Sequence, residues 1–159
     1  MMTIEETIRD EKLDFSGISL NYYLLGLLSA FENRFQTAAD NAMGEISWKQ
    51  FFAIICINLF KEPPTLRELS EILGSSHQNV KQILLKLENK KFIELQPDIT
   101  DKRKQRIFLT DHCKEFCEKN NKMSEAIMDK MFRGISQNDL ATTIRTITIM
   151  EKNLQGDEK

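Results

Sequence analysis

The chain has 159 residues, 41% of them apolar, with 22 Lys and Arg against 24 Asp and Glu, for a formal net charge of −2. That length suffices for one domain, or for one core with a helical extension, and the few glycines and prolines (six and three) favour a mostly helical protein. No apolar run approaches the roughly 18 residues of a membrane span, and the acidic opening MMTIEETIRDEKLDF lacks an apolar signal core, so the expectation is a cytoplasmic protein without membrane contact.

Taken in order, Ile18 to about Asn41 reads as a long amphipathic helix. Leu20, Leu24, Leu27, Leu28, Phe31 and Phe35 recur at spacings of three and four, and Gly44 follows as a C-terminal stop. Ser47-Trp48-Lys49-Gln50 is a capping box opening a second helix through about Phe60. With Trp48, Phe51, Phe52, Ile54, Ile55, Ile57 and Leu59 it is apolar on most sides, so it is expected to be the central buried helix. Pro63-Pro64 breaks the chain. Thr65-Leu66-Arg67-Glu68 is a second capping box and starts a third helix, through Leu73, with Leu66, Leu69 and Leu73 as its inward face. Gly74 ends it, Ser76 caps a fourth helix, and Val80, Ile83, Leu84 and Leu87 there face inward.

Phe92–Leu95 and Arg106–Leu109 are expected to pair as a short hairpin, with the polar Pro97–Gln105 segment projecting between them. Thr110 and Asp111 cap a fifth helix through about Phe132. Ser136 opens a sixth, with Leu140, Ile144, Ile147, Met150 and Leu154 as its apolar stripe and fraying expected from Glu151 onward. The fold class that follows is mainly α with a small β-hairpin wing, a winged helix-turn-helix.

The chemistry of Thr65–Thr110 suits double-stranded DNA. A helix-turn-helix braces with its first helix and reads the major groove with the N-terminal part of its second. Here that part carries Ser76, His77, Gln78, Asn79, Lys81 and Gln82. Gln and Asn can pair bidentately with adenine, and Lys can reach guanine or a phosphate. The Ser76 hydroxyl and the helix N-terminal amides can hold a backbone phosphate. A polar face of this kind is also ordinary on a solvated surface helix. The hairpin tip separates the two readings, because Lys102, Arg103, Lys104 and Arg106 stand where a generic hairpin would place Asn-Gly chemistry. An arginine projecting there suits a narrow minor groove, and Asp101 can brace the Arg103 guanidinium as a fork. From Ser76 to Arg106 eight cations face four carboxylates, a local +4 in a chain of −2. The remainder carries −6, so the overall charge argues nothing against nucleic acid.

At these residues the chain resembles the MarR family of bacterial transcription regulators. The segment Leu69-Ser-Glu-Ile-Leu-Gly-Ser-Ser-His-Gln-Asn-Val80 is similar to the family's brace, turn and recognition helix. Asp101-Lys-Arg103 followed by Leu109-Thr110 resembles its more discriminating wing signature. The resemblance implies a homodimer in which the first and last helices interleave with a partner's, so that residues 1–45 and 112–159 form a dimerisation region around the DNA-binding region 46–111. It implies a repressor on a palindromic site, with Arg103 entering the minor groove and Asp101 orienting it. It also implies release by a small aromatic effector, for which Tyr22, Tyr23, Phe31, Trp48 and Phe52 are the candidate lining; core and interface packing is the plainer account of the same rings. The chain departs from the pattern at Lys91, where the family usually has Gly, at Leu85, often acidic, and at Cys113, frequently Gly. A lysine at a left-handed position would cost on the order of 1 kcal/mol.

Other classes find less support. Three cysteines, Cys56, Cys113 and Cys117, make no disulfide framework, and with only His77 and His112 no metal pattern forms. His112 and Cys113 are sequence neighbours, about 100° apart on a helix, which is poor nucleophile–base geometry. No Gly-rich phosphate loop or acid pair appears. The expectation is therefore no enzyme, no cofactor and no metal. The alternatives are a winged helix used for protein contact and a regulator switched by thiol oxidation at Cys113 or Cys117.

Overall fold

The computed structural model describes residue 14 and residues 17–156; the acidic N-terminal stretch on which the signal-peptide argument rests lies almost wholly outside the described residues. The elements are α1 (Leu20–Met43), α2 (Trp48–Leu59), α3 (Leu66–Leu73), α4 (His77–Asn89), β1 (Ile93–Pro97), β2 (Gln105–Leu109), α5 (Asp111–Met131) and α6 (Gln137–Gln155). The type and order of all eight match the sequence-based reading. Backbone packing divides the chain between Thr110 and Asp111 into two compact units.

In the first unit the starts of α2, α3 and α4 are fixed by side-chain hydrogen bonds, whereas Ser19 before α1 makes no side-chain cap. Asp40 Oδ1, near the end of α1, accepts the Trp48 amide at 2.5 Å and so ties the first turn of α2 to α1. Both expected capping boxes form. Ser47 Oγ accepts the Gln50 amide at 3.3 Å while Gln50 Oε1 accepts the Ser47 amide at 3.2 Å. Thr65 Oγ1 accepts the Glu68 amide at 3.3 Å while Glu68 Oε2 accepts the Thr65 amide at 2.7 Å. Each satisfies two donors that the first helical turn leaves free.

Helix α2 packs against α1, α3, α4 and β2 and buries Gln50, Ala53, Ile54, Cys56 and Ile57. It is central, as expected, but not buried all round, since Phe52 and Leu59 are exposed. Leu69, Val80, Leu84, Leu87, Phe92, Ile93 and Ile107 complete the core, while Leu66, Leu73 and Ile83 are half-buried at its edge.

The helix-turn-helix is bounded by two copies of one device. At Gly74 (φ 58°) the Gly74 amide donates to Glu71 O and the Ser75 amide to Ser70 O. At Lys91 (φ 61°) the Lys91 amide donates to Glu88 O and the Phe92 amide to Leu87 O. Both are Schellman turns, which need a left-handed residue. Lys91 is the one non-glycine with positive φ among the described residues, so the backbone keeps the left-handed turn although a lysine stands where the resembling family usually has Gly. Because the Phe92 amide closes this turn, β1 starts at Ile93 rather than Phe92. The strands pair antiparallel from Ile93↔Leu109 to Pro97↔Gln105. The loop is therefore residues 98–104, shorter at both ends than the sequence suggests, since Pro97 needs no amide donor at a strand terminus.

In the second unit, Cys113 and Phe116 of α5 are buried. Helix α6 is capped by Ser136, whose Oγ accepts the Asp139 amide at 3.1 Å. It runs to Gln155 rather than fraying from Glu151, and none of its residues is buried.

Candidate nucleic-acid interface

The first turns of α4 present their polar side chains outward. Ser76 Oγ accepts the Asn79 amide at 3.3 Å, which fixes the helix start and leaves the hydroxyl proton free to donate. His77, Gln78, Asn79, Lys81 and Gln82 are all exposed, while Val80, Leu84 and Leu87 on the opposite face are buried. The register of the helix is thus set by its apolar side. Leu85, at the position where an acid is frequent in the resembling family, is exposed.

The wing is organised by two aspartates. Asp98, whose side chain is only 7% exposed, accepts through Oδ1 from the Thr100 amide (2.7 Å), the Thr100 hydroxyl (2.6 Å) and the Asp101 amide (2.9 Å). Its Oδ2 accepts from Arg106 Nε at 2.5 Å. The loop closes where the Asp98 amide donates to Lys104 O and the Lys104 amide to Asp101 O. Asp101 accepts the Arg103 amide at 3.2 Å and grips its guanidinium through Nε at 3.0 Å and Nη2 at 3.4 Å. Lys104 Nζ is 3.8 Å away. Arg103 is nevertheless 91% exposed: it is oriented, not covered. Lys102 and Lys104 are exposed beside it.

These contacts hold the charges in place. The Asp98 carboxyl lies far below the usual carboxylate range, mainly through the Thr100 hydroxyl, then the Asp101 amide and Arg106. Asp101 is lowered chiefly by Arg103 and Glu68 chiefly by the Thr65 amide. Arg106 is raised by Asp98. At neutral pH both wing aspartates are therefore ionised and paired with arginine, Asp101 with Arg103 and Asp98 with Arg106.

The sequence grouped Arg106 with the projecting cations, but the structure gives it other partners. Besides Asp98, its Nη1 donates to Pro63 O at 3.0 Å and lies 3.3 Å from Glu68 Oε2, and its side chain is 29% exposed. Asp98 itself entered the sequence reading only as a negative charge. The Asp-x-Thr spacing, typical of side chains that fold back on their own backbone, was the signal for its turn.

Beside α4 lies a cavity of about 580 Å³ lined by Phe35, Trp48, Phe52, Leu73, Asn79 and Gln82 among others. Its aromatic wall is ordered: Phe35 meets Trp48 edge-on at 4.7 Å, and Trp48 stacks on Phe52 at 5.9 Å. Of the five rings expected to line a pocket, Trp48 and Phe52 do so. Phe31 stacks one layer out on Phe35. Tyr22, 74% exposed, and Tyr23 are not among the lining residues.

Cys56 and Cys113 are buried and Cys117 half-buried. Burial pushes the Cys113 thiol up to about 12, and it raises Cys117 and Cys56 as well. Since the thiolate is the reactive form, this environment disfavours thiol chemistry at neutral pH. Among the described residues no cluster of His, Cys, Asp and Glu could hold a metal ion, and no helix is long and apolar enough to cross a membrane.

No protein-family model matches the chain, and no curated protein matches its sequence. Solved structures do match its fold. A MarR/EmrR family transcriptional regulator from Acinetobacter sp. ADP1 superposes with a TM-score of 0.75 at 18% identity, over 87% of this chain and 99% of that one. S. aureus MepR, solved as a DNA complex, gives 0.69 at 18% identity over 84% and 96%. Streptococcus pneumoniae FabT, also solved with DNA, gives 0.60 at 22% identity over 86% and 98%. The chain has the winged helix-turn-helix fold of MarR-type regulators.

Proposed function

We propose that this chain is a MarR-type transcription regulator, a cytoplasmic homodimer that binds a palindromic operator in double-stranded DNA and acts as a repressor. The observation that carries the reading is Arg103, almost fully exposed yet held by Asp101, on the unit that also presents the polar face of α4. In this reading His77, Gln78, Asn79, Lys81 and Gln82 meet base edges and phosphates of the major groove. Ser76 binds a phosphate, and Arg103, flanked by Lys102 and Lys104, enters the adjacent minor groove.

The second copy follows from the apolar faces. Leu20, Leu25, Leu27 and Phe31 of α1 and Ile144, Ile149 and Leu154 of α6 are exposed, and exposed apolar stripes of this kind mark surfaces used for association. A two-fold partner covers both, and makes residues 1–45 and 112–159 one dimerisation region. The aromatic cavity beside α4 suits a small aromatic effector, whose binding there would compete with placement of Asn79 and Gln82 on DNA.

Selection of bound sites from a random duplex pool tests the whole reading. The expected result is a palindrome with half-sites about one helical turn, ~10 bp, apart, bound with an affinity that falls steeply with salt. Recovery of no preferred site, with affinity insensitive to salt, overturns it in favour of a winged helix used for protein contact.

A further inference from the structure

Arg106 occupies a junction that its sequence position conceals. It lies in β2, paired with Gln96 across the hairpin, and on its other side it bridges to Thr65. The next amide, that of Ile107, donates to Pro64 O at 2.9 Å. The guanidinium then reaches three separate pieces: Asp98 at the base of the wing loop, the Pro63 carbonyl in the linker before α3, and Glu68 in the capping box that starts α3. Glu68 Oε2 meanwhile accepts from both the Thr65 amide and the Thr65 hydroxyl. One side chain thus links the loop turn, the start of the helix-turn-helix and the hairpin.

We propose that Arg106 is a positioning residue for DNA recognition: through Asp98, Pro63 O and Glu68 it sets the pose of the wing loop against the helix-turn-helix, in place of contacting DNA itself. This rests on the DNA-binding reading above and deepens it. The planar fork of an arginine is the group that can serve three acceptors at fixed angles, which an ammonium cannot. Asp98 is the relay. Its Oδ1 holds the Thr100 and Asp101 amides, so the peptide that carries the Asp101–Arg103 fork is referenced, through Oδ2, to Arg106. A wing without that reference would have to be ordered on binding, with a loss of affinity from conformational entropy. The backbone bonds from β2 to Pro64 and Thr65 anchor the base of the hairpin, but the loop beyond it takes its reference from the Asp98–Arg106 contact, because two-stranded ribbons twist readily.

The proposal makes an unusual prediction of sign. Removing a carboxylate near DNA ordinarily strengthens binding by relieving repulsion. Asp98→Asn is isosteric and keeps an acceptor for the loop amides, but it opposes its own N–H₂ to the Arg106 Nε–H. If Arg106 acts through Asp98, Asp98→Asn and Arg106→Gln both weaken binding of the full chain to the selected duplex, each by roughly tenfold, the scale of one lost directional contact. The double variant is then no weaker than the worse single one, since the two residues form one path. Hydrogen exchange in the free protein gives an independent readout: the Thr100 and Asp101 amides exchange faster while those of Leu84 and Leu87 keep their protection. Binding that Asp98→Asn leaves unchanged or tightens, while Arg106→Gln weakens it with unaltered wing exchange, would make Arg106 a direct DNA contact and overturn the proposal. A wild-type chain that binds no duplex overturns the DNA reading and this role with it, and the exchange measurement then still decides whether the junction orders the wing. Should either variant fail to fold, Glu68→Gln keeps an acceptor for Thr65 and removes the charge facing Arg106. It is expected to quicken wing exchange to a smaller degree, and unchanged exchange there counts against the junction.

Discussion

Helices α4 and α6 carry the same kind of sequence signal and come to opposite ends. Each has apolar residues at intervals of three and four. The 13 residues of α4 sink Val80, Leu84 and Leu87 into a core, whereas the 19 residues of α6 bury nothing. Periodicity therefore tells which face of a helix is to be covered, and leaves open whether the cover comes from the same chain. Around α4 the cover is local, as α3, α2 and β1 all pack on it. The winged-helix unit is closed on itself, with its hydrogen-bonding termini capped at Thr65, Ser76, Gly74 and Lys91. On α6, Leu140, Ile147 and Met150 are only half-buried and Ile144, Ile149 and Leu154 are exposed, so its apolar stripe is the surface that the proposed partner would cover.

The strongest way to break this contrast is to place a charge on the open face. Ile144→Glu should separate the proposed homodimer, because burying a carboxylate without a partner costs several kcal/mol, so the carboxylate stays in water and the interface parts. Sedimentation at micromolar concentration should show a monomer, while the exchange protection of Leu84 and Leu87 is retained. An unchanged dimer would mean that α6 is not the contact surface. The converse substitution lies in the closed unit. Leu87→Ala, at a site with no exposure, should lower unfolding stability by about 2–5 kcal/mol in urea titrations. An effect below about 1 kcal/mol would mean that the unit is not the close-packed body described.

A substitution at the wing sharpens the comparison from the side of function. Arg103→Ala removes a side chain that is 91% exposed and bonded only to Asp101, an exposed pair that contributes little to stability, so the unfolding midpoint should scarcely move. Duplex affinity should fall roughly tenfold and the salt slope by about one if a phosphate contact is lost. A change in stability without a change in affinity would reverse the roles assigned to Arg103 and Arg106.

What was legible in the sequence divides along the same line. The capping boxes at Ser47 and Thr65, the stop at Gly74 and the outward face of α4 depend on neighbours within a turn, and the structure has them as read. The Asp101–Arg103 fork is also local, two residues apart. The partners of Arg106 were not legible because they lie 8, 38 and 43 residues away, and a cation's spacing along the chain does not report whether a carboxylate waits across the fold. Which aromatic rings face the cavity was not legible for a related reason: Phe31 and Phe35 share one stripe of α1, and only the packing of α2 decides which of them lines it. Cys113 could be placed on a helix as a buried or inert thiol, but which neighbours bury it and so raise its thiol is a tertiary matter.

The smallest expected effect concerns the two turns that bound the helix-turn-helix. Gly74 and Lys91 occupy the same left-handed position in the same hydrogen-bonded motif, and at Gly74 nothing lies within 4 Å of where a Cβ would stand. The difference between them is therefore conformational rather than steric. A left-handed non-glycine residue is strained by roughly 1–2 kcal/mol, while glycine returns about 0.4–1 kcal/mol through the entropy of the unfolded chain. Lys91→Gly should then raise stability by about 0.5–1 kcal/mol, read as a higher urea midpoint at unchanged slope, and Gly74→Ala should lower it by a similar amount. The Thr110 hydroxyl, which donates to Lys91 O at 2.6 Å, and the buried Phe92 that follows hold the Lys91 peptide in place from both sides. If Lys91→Gly instead lowers the midpoint, the lysine side chain contributes contacts outweighing its strain, and the two turns are alike in geometry but not in what stabilises them.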